Sequence, residues 1–378
     1  MVRLHSSCFN PRGIQILRLF YLFLKISYFT KMSNLSCDVI LADKAGPPPF
    51  YSAAVRYVIG AILMFVPITT IVGNGIVITA FATHRRLRNI TNSFVVSLAI
   101  ADIGVAVIVM PFSIYQQLNN KAWALGYSMC IVVTSFDVML CTISIFHLSC
   151  LAIDRYLAIC RPFLHERMTK NIVMMMLITC WVFPVSISFI PIMNEWNLIG
   201  IEDYYKCLFP DGAQMCVFVV NIAFAIVCSA VAFYVPVVFM IICNIKIYMA
   251  ARRQAMQIRS LDVVGNSKGK GKFKQETKAA KTLGIIMGCF SVCWFPFFIF
   301  NVIDPLIGYK IPYNIWIVAL WLGYINSMMN PFLYYYFNRS FKAAFKRIFR
   351  CRICKGFSEY EDDYVSGLFC IKTQLQVY

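Results

Sequence analysis

The chain has 378 residues, of which 60% are hydrophobic and 14% charged, with a mean hydropathy of +0.69. That balance leaves too little polar surface to coat a water-soluble globule, so a bilayer must act as solvent. The formal charge of +18, from 35 Lys and Arg against 17 Asp and Glu, does not imply nucleic acid, because the basic residues lie beside apolar runs rather than on a soluble domain.

Residues 1–56 precede the first long apolar run and are expected to form an extracellular segment. Within it, residues 13–28 are apolar but carry Arg18 and Lys25 and lack a small-residue cleavage site. Met32 offers an alternative start, so residues 1–31 read as a poor signal sequence or an upstream extension. Asn34-Leu35-Ser36 is an acceptor for N-glycosylation, usable only outside the cell.

Seven apolar runs follow, at residues 57–82, 93–118, 130–159, 172–193, 218–250, 282–303 and 312–336. Each reaches the roughly 20 residues that a helix needs to cross ~30 Å of hydrocarbon. Arg85, Arg86, Arg88, Arg161, Arg167, Lys170, Arg252, Arg253 and the basic residues after Arg339 fall in one set of loops and the tail. The opposite loops hold Glu195, Glu202, Asp203 and Asp211. The excess of positive charge marks the first set as cytoplasmic, which puts the N-terminus outside and the C-terminus inside a plasma-membrane protein. The loops are mostly short and no internal repeat is visible, so residues 57–336 predict one all-α bundle of seven transmembrane helices.

The longest cytoplasmic connection contains a Gly/Lys-rich run at residues 265–272, expected to be solvated, between ends rich in helix formers at 246–256 and 275–282. The last segment, 337–378, begins with Phe341, Phe345 and Phe349 at a spacing of four, surrounded by Lys342, Lys346, Arg347 and Arg350. This is the pattern of a short amphipathic helix lying against membrane lipids. Cys351 and Cys354 follow it and are candidates for palmitoylation. On the oxidising side, Cys37, Cys130, Cys207 and Cys216 allow three disulfide pairings.

Charges inside spans carry the functional information, because each costs about 2.5–3.5 kcal/mol to insert. Two acids lie well inside, Asp102 and Asp137. Asp137 follows Cys130 by seven residues and so lies roughly 10 Å below the outer end of its helix, within reach of an extracellular ligand. No Lys or Arg occurs at that depth, and a cationic ligand would supply the missing charge. Trp294, Phe297, Phe298, Trp321 and Tyr324 can wall a pocket around such a cation. Ser229 can reach the ligand's far end or bond back to its own helix.

Asp102 with Ser144, Asn326 and Asn330 suggests a second, deeper polar level for a sodium ion or a water cluster. At the cytoplasmic end, Asp154-Arg155-Tyr156 offers an internal ion pair, and Glu276 is a competing partner for Arg155. Pro236, Pro296 and Pro331 interrupt helix hydrogen bonding within spans. A transporter would ordinarily show paired repeats. An enzyme would need a nucleophile and base or metal ligands at span depth, where His147 is the lone histidine.

In order, Gly73-Asn74, Leu98-Ala99-Ile100-Ala101-Asp102, Asp154-Arg155-Tyr156, Trp181, Pro236, Cys293-Trp294-Phe295-Pro296 and Asn330-Pro331-Phe332-Leu333-Tyr334 resemble the rhodopsin-like G-protein-coupled receptors. Asp137 with Tyr324 resembles their biogenic-amine branch. The segments at 134–138, 228–234, 276–283 and 321–327, with Asn301, are similar to serotonin receptors of that branch. The resemblance implies serotonin as ligand, with octopamine, dopamine, histamine or a trace amine as alternatives. It adds Val138, Cys141 and Asn301 to the ligand set, and gives Pro296 and Tyr334 a part in the switch. It further implies a heterotrimeric G protein, Gs with cAMP production, arrestin and receptor kinases as partners, and a Cys130–Cys216 disulfide. Cys207 departs from the pattern and leaves that pairing open.

Overall fold

A computed structural model describes residues 52–119, 122–208, 216–261 and 270–357. Asn34 and the start of the Gly/Lys run, residues 265–269, lie outside the described residues, as do the side chains of Glu276, Cys351 and Cys354.

The described chain is a bundle of helices: α1 Ala53–Thr83, α3 Gly126–Cys160, α4 Lys170–Met193, α6 Lys270–Leu306, α7 Tyr313–Phe337 and α8 Arg339–Phe357. Two more are interrupted. Ile90–Gly104, a π-helical turn at Val105–Val109 and Met110–Leu118 together make α2; Ile222–Ser229, a π turn at Ala230–Tyr234 and Val235–Leu261 make α5. The helices begin where polar side chains accept the first orphan amides. Ser52 takes Val55 N, Asn89 takes Asn92 N, Thr169 takes Ile172 N and Asn221 takes Phe224 N. Each π turn lies just ahead of or beside a proline, Pro111 or Pro236, whose missing N–H perturbs the preceding turn.

Helices α1 to α6 are long and apolar enough to cross a bilayer. Helix α7 has the length, 25 residues, but is diluted by Asn326, Ser327 and Asn330, all of which are buried inside the bundle. The predicted seven-helix membrane bundle is the observed fold. Helix α3 is its axis, with Leu140, Ile143, Leu148 and Leu151 buried, whereas α1 and α4 turn Phe65, Val72, Met175 and Val182 outward, where lipid is the natural solvent.

Three boundaries differ from expectation. The fifth helix starts at Ile222 rather than 218, because Asn221 caps it and its backbone N–H donates to Asn197 O at 2.7 Å. Hydropathy could not separate residues 217–220 from the helix, being apolar on both sides of the cap. The connection between α4 and α5 contains a helix, Glu202–Leu208, with two acids in its first turn and a lysine in its last, as the helix dipole favours. Helices α5 and α6 also extend further toward each other, to Leu261 and from Lys270, than composition suggested. Two of the three α8 phenylalanines meet protein: Phe341 stacks on Tyr334 at 5.6 Å and Phe345 on Tyr335 at 6.0 Å, and Phe349 remains exposed.

Pro331 explains how α7 meets α1. Its missing N–H frees the Ser327 carbonyl, which accepts from Asn74 Nδ2 at 3.1 Å. Gly73 lets the helices approach, since a Cβ there would lie 2.9 Å from Pro331 Cγ.

Candidate functional site

Asp137 is half-buried on α3 facing α7. Tyr324 donates its hydroxyl to Asp137 Oδ2 at 2.8 Å, and the Cys141 thiol, one turn deeper, donates to Oδ1 at 3.4 Å. Among the described residues no ion pair involves Asp137. Two neutral donors support a carboxylate without cancelling its charge.

Aromatic rings close the space toward α6. Trp294 meets Phe297 at 5.7 Å and Phe298 at 6.1 Å, and Phe298 is stacked on Phe233 at 4.3 Å. Trp294 can lie against α7 because residue 323 is glycine; a Cβ there would sit 2.7 Å from the indole. Trp321 packs edge-on to Tyr324 at 5.5 Å. Val138 joins Ile192, Phe224 and Cys228 in an apolar cluster between α3, α4 and α5. Ser229, fully buried, accepts from Asn301 Nδ2 at 2.9 Å instead of only bonding back to its own helix. The bundle therefore sets a carboxylate on α3, a group of aromatic rings on α5 and α6, and a hydroxyl–amide pair between α5 and α6.

The second extracellular loop lies above. Cys130 is bonded to Cys216, with Cα atoms 5.5 Å apart, and Gln116 Nε2 donates to Cys216 O at 2.7 Å. Cys207 is also disulfide-bonded.

At the deeper level, Asn330 Nδ2 donates to Asp102 Oδ2 at 2.8 Å. Ser144 instead donates to Leu140 O of its own helix at 3.1 Å. Asp102 Oδ1, Asn74 Oδ1, Asn326 Nδ2, Asn330 Oδ1 and the Tyr334 hydroxyl are buried with no hydrogen-bond partner. Burial of so many polar atoms is costly unless something satisfies them.

At the other end of α3, Asp154 is fully buried and Arg155 pairs with it at 2.5 Å. Thr91 on α2 donates to Asp154 Oδ2 at 2.7 Å and accepts from Arg155. His165, on a short helix Pro162–Glu166, donates from Nε2 to Asp154 Oδ1 at 3.2 Å. Tyr156 lies under Lys246, 5.8 Å from the ammonium to the ring centre. Pro296 lies in α6 directly before Phe297.

Sequence reasoning missed Phe233, Thr91 and His165 as site residues. Nothing local marks them, since each acquires its role from a partner on another helix. His147 proves structural: it bonds Ile143 O and Ser97 Oγ, each at 2.7 Å, and Ser97 also accepts from Trp181 Nε1 at 2.9 Å.

The bundle thus carries an acid without an ion-pair partner among the described residues toward one end of α3 and an ion-paired arginine toward the other. Residues 73–334 match the family described as 7 transmembrane receptor (rhodopsin family), and the chain belongs to it. It is 44% identical over 330 residues to 5-hydroxytryptamine receptor 4 of Cavia porcellus, covering 83% of this chain and 84% of that one. With the receptor of the same name from Homo sapiens it shares 45% over 317 residues, 80% of this chain and 81% of that one. Octopamine receptor beta-2R of Chilo suppressalis is 37% identical over 320 residues, 78% of this chain and 80% of that one. The family is not an enzyme family.

Proposed function

We propose that this chain is a plasma-membrane receptor for serotonin, with its N-terminus outside, acting through a G protein of the Gs type to raise cAMP. The observation that carries the reading is Asp137, held by Tyr324 yet lacking a cation, facing aromatic walls and the Ser229–Asn301 pair. The ammonium would take the carboxylate, the indole the aromatic faces, and the ring hydroxyl the far polar pair. A catechol needs two hydroxyl partners at that end, where Cys228 and Ala232 flank the single Ser229. The names of the 5-hydroxytryptamine relatives support the same choice.

Binding would draw Trp294, Phe297 and Phe298 inward, and α6 would swing about Pro296 to open the cytoplasmic side. Arg155 would then exchange its bonds to Asp154 and Thr91, with Glu276 on α6 as its alternative partner in the resting state and Tyr334 rearranging nearby. By linkage, a bound G protein raises agonist affinity by the same factor as the agonist raises G-protein affinity. Arrestin and receptor kinases would read the same cytoplasmic face, and α8 would rest on inner-leaflet lipid. The unsatisfied atoms around Asp102 and Asn330 fit a sodium ion or a water cluster, with Asn326 contributing and Ser144 able to turn toward it.

The test is a panel of amines on cells expressing the receptor, with cAMP and calcium both recorded. Serotonin should act at the lowest concentration and raise cAMP. Silence to serotonin with a response to octopamine, dopamine, histamine or a trace amine would replace the ligand and keep the receptor assignment.

A further inference from the structure

The second and third extracellular loops are joined by a contact outside the amine pocket. On the helix Glu202–Leu208, two successive tyrosines diverge. Tyr205 faces Tyr127 at the outer end of α3, with ring centres 6.4 Å apart, and Tyr127 donates to Glu195 at 2.7 Å. Tyr204 stacks on Tyr309, in the turn between α6 and α7, with centres 4.5 Å apart and planes 24° from parallel. Both stacked rings are buried although both belong to loops. Tyr309 also donates its hydroxyl to Val220 O, just ahead of α5, at 2.9 Å. Leu198, Ile201 and Val219 complete an apolar cluster distinct from the bundle core. The cluster thus ties the outer ends of α3, α5 and the α6–α7 turn together.

The α6–α7 turn is held in a conformation that its sequence does not favour. Tyr309 has φ +59°, a left-handed conformation rare for a bulky residue, and Gly308 before it has φ +74°. Asp304 maintains the turn: its carbonyl accepts from Tyr309 N at 2.7 Å, and its carboxylate accepts from Ile311 N at 2.9 Å and Trp316 Nε1 at 3.0 Å. The Trp316 ring in turn meets Phe297 of the amine pocket at 5.5 Å. Opening the contact separates the Tyr204–Tyr309 ring stack and the Tyr309–Val220 hydrogen bond and relieves the left-handed residue. The Cys130–Cys216 bond and the Asn197 and Asn221 contacts would meanwhile keep the rest of the loop in place.

We propose that the Tyr204–Tyr309 stack is a latch across the mouth of the Asp137 pocket, setting how fast a cationic ligand reaches and leaves the carboxylate. The inference rests on the reading of that pocket as the amine site. The latch is formed by residues other than those that would hold the bound amine, so it alters both rates and leaves their ratio unchanged.

The test uses the full-length receptor in lipid nanodiscs. A trimethylammonium methanethiosulfonate reports access to the free thiols of Cys141 and Cys228, read by peptide mass spectrometry, without assuming which amine binds. Tyr204→Ala and Tyr309→Ala should each speed labelling several-fold, and the double variant no more than the larger single effect. Tyr309→Phe, which keeps the stack and loses the bond to Val220, should have a smaller effect. Tyr309→Gly suits the left-handed backbone and serves where the alanine variant expresses poorly. Tritiated serotonin should associate and dissociate faster in the same variants, with an unchanged ratio of rates. Unchanged labelling, or additive effects in the double variant, overturns the latch even if serotonin binds normally. Faster labelling with no serotonin binding by any form removes serotonin as ligand and leaves the latch standing.

Discussion

The hydroxyl of Tyr324 lies 2.8 Å from a carboxylate oxygen of Asp137, joining α7 to α3 across 187 residues of sequence. The bond orients the acid toward the pocket without neutralising it. Asp137→Asn should therefore weaken amine binding by about 2–5 kcal/mol, the range for breaking a desolvated charge pair. Tyr324→Phe should cost about 1.5–3 kcal/mol, as for a hydrogen bond to a charged group. Competition binding at matched surface expression measures both. Wild-type affinity in the Asp137→Asn receptor would remove the salt bridge from the mechanism.

The pairing of Asn301 with Ser229, at 2.9 Å, makes the far end of the pocket a shared polar unit. Ser229→Ala should lower affinity for serotonin by about 1–3 kcal/mol, because it removes a ligand contact and strands the Asn301 amide. Tryptamine, which lacks the ring hydroxyl, should be less sensitive to the same change. Equal losses for the two ligands would move the hydroxyl elsewhere in the pocket.

Thr91 and His165 each hold one oxygen of the buried Asp154, whose pairing with Arg155 is the restraint on the switch in the proposed mechanism. Thr91→Ala and His165→Ala should raise ligand-independent cAMP by loosening the closed arrangement, each by an amount corresponding to about 1 kcal/mol. Basal signalling normalised to surface receptor is the measurement. If neither variant rises above wild type, these bonds do not restrain activation.

The spans were legible because a bilayer imposes length and apolarity on each helix separately, and Asp137 was legible because a charge at that depth needs a reason. Tyr324 was legible as a pocket wall and, by resemblance, as the companion of Asp137, but their direct hydrogen bond exists only after two helices pack. The same holds for Ser229: its two open alternatives, ligand contact or helix back-bond, were joined by a third that required Asn301 in place. Asn221 was a readable helix cap hidden inside an apolar run, and Glu202, Asp203 and Lys206 were a readable dipole pattern in a loop. Thr91 and His165 carried no local signal, because their role comes entirely from the buried oxygen atoms of Asp154.

Asn74 and Pro331 offer a test of helix packing that needs no ligand. Pro331 cannot supply the N–H that Ser327 O would accept in an unbroken helix, and Asn74 Nδ2 supplies one from α1 at 3.1 Å. Asn74→Ala should then lower stability by about 1–3 kcal/mol, leaving a buried carbonyl unsatisfied. In a Pro331→Ala background, the restored backbone N–H satisfies Ser327 O, so the same Asn74→Ala change should cost much less. Gly73→Ala should follow the same rule in part, because its added Cβ meets Pro331 Cγ at 2.9 Å, which goes with the ring, and Pro331 Cβ at 3.1 Å, which alanine keeps. Melting temperatures of the purified variants form a double-mutant cycle for each pair. Equal penalties in both backgrounds would show that Asn74 acts through the Asp102 cluster rather than through the carbonyl freed by Pro331.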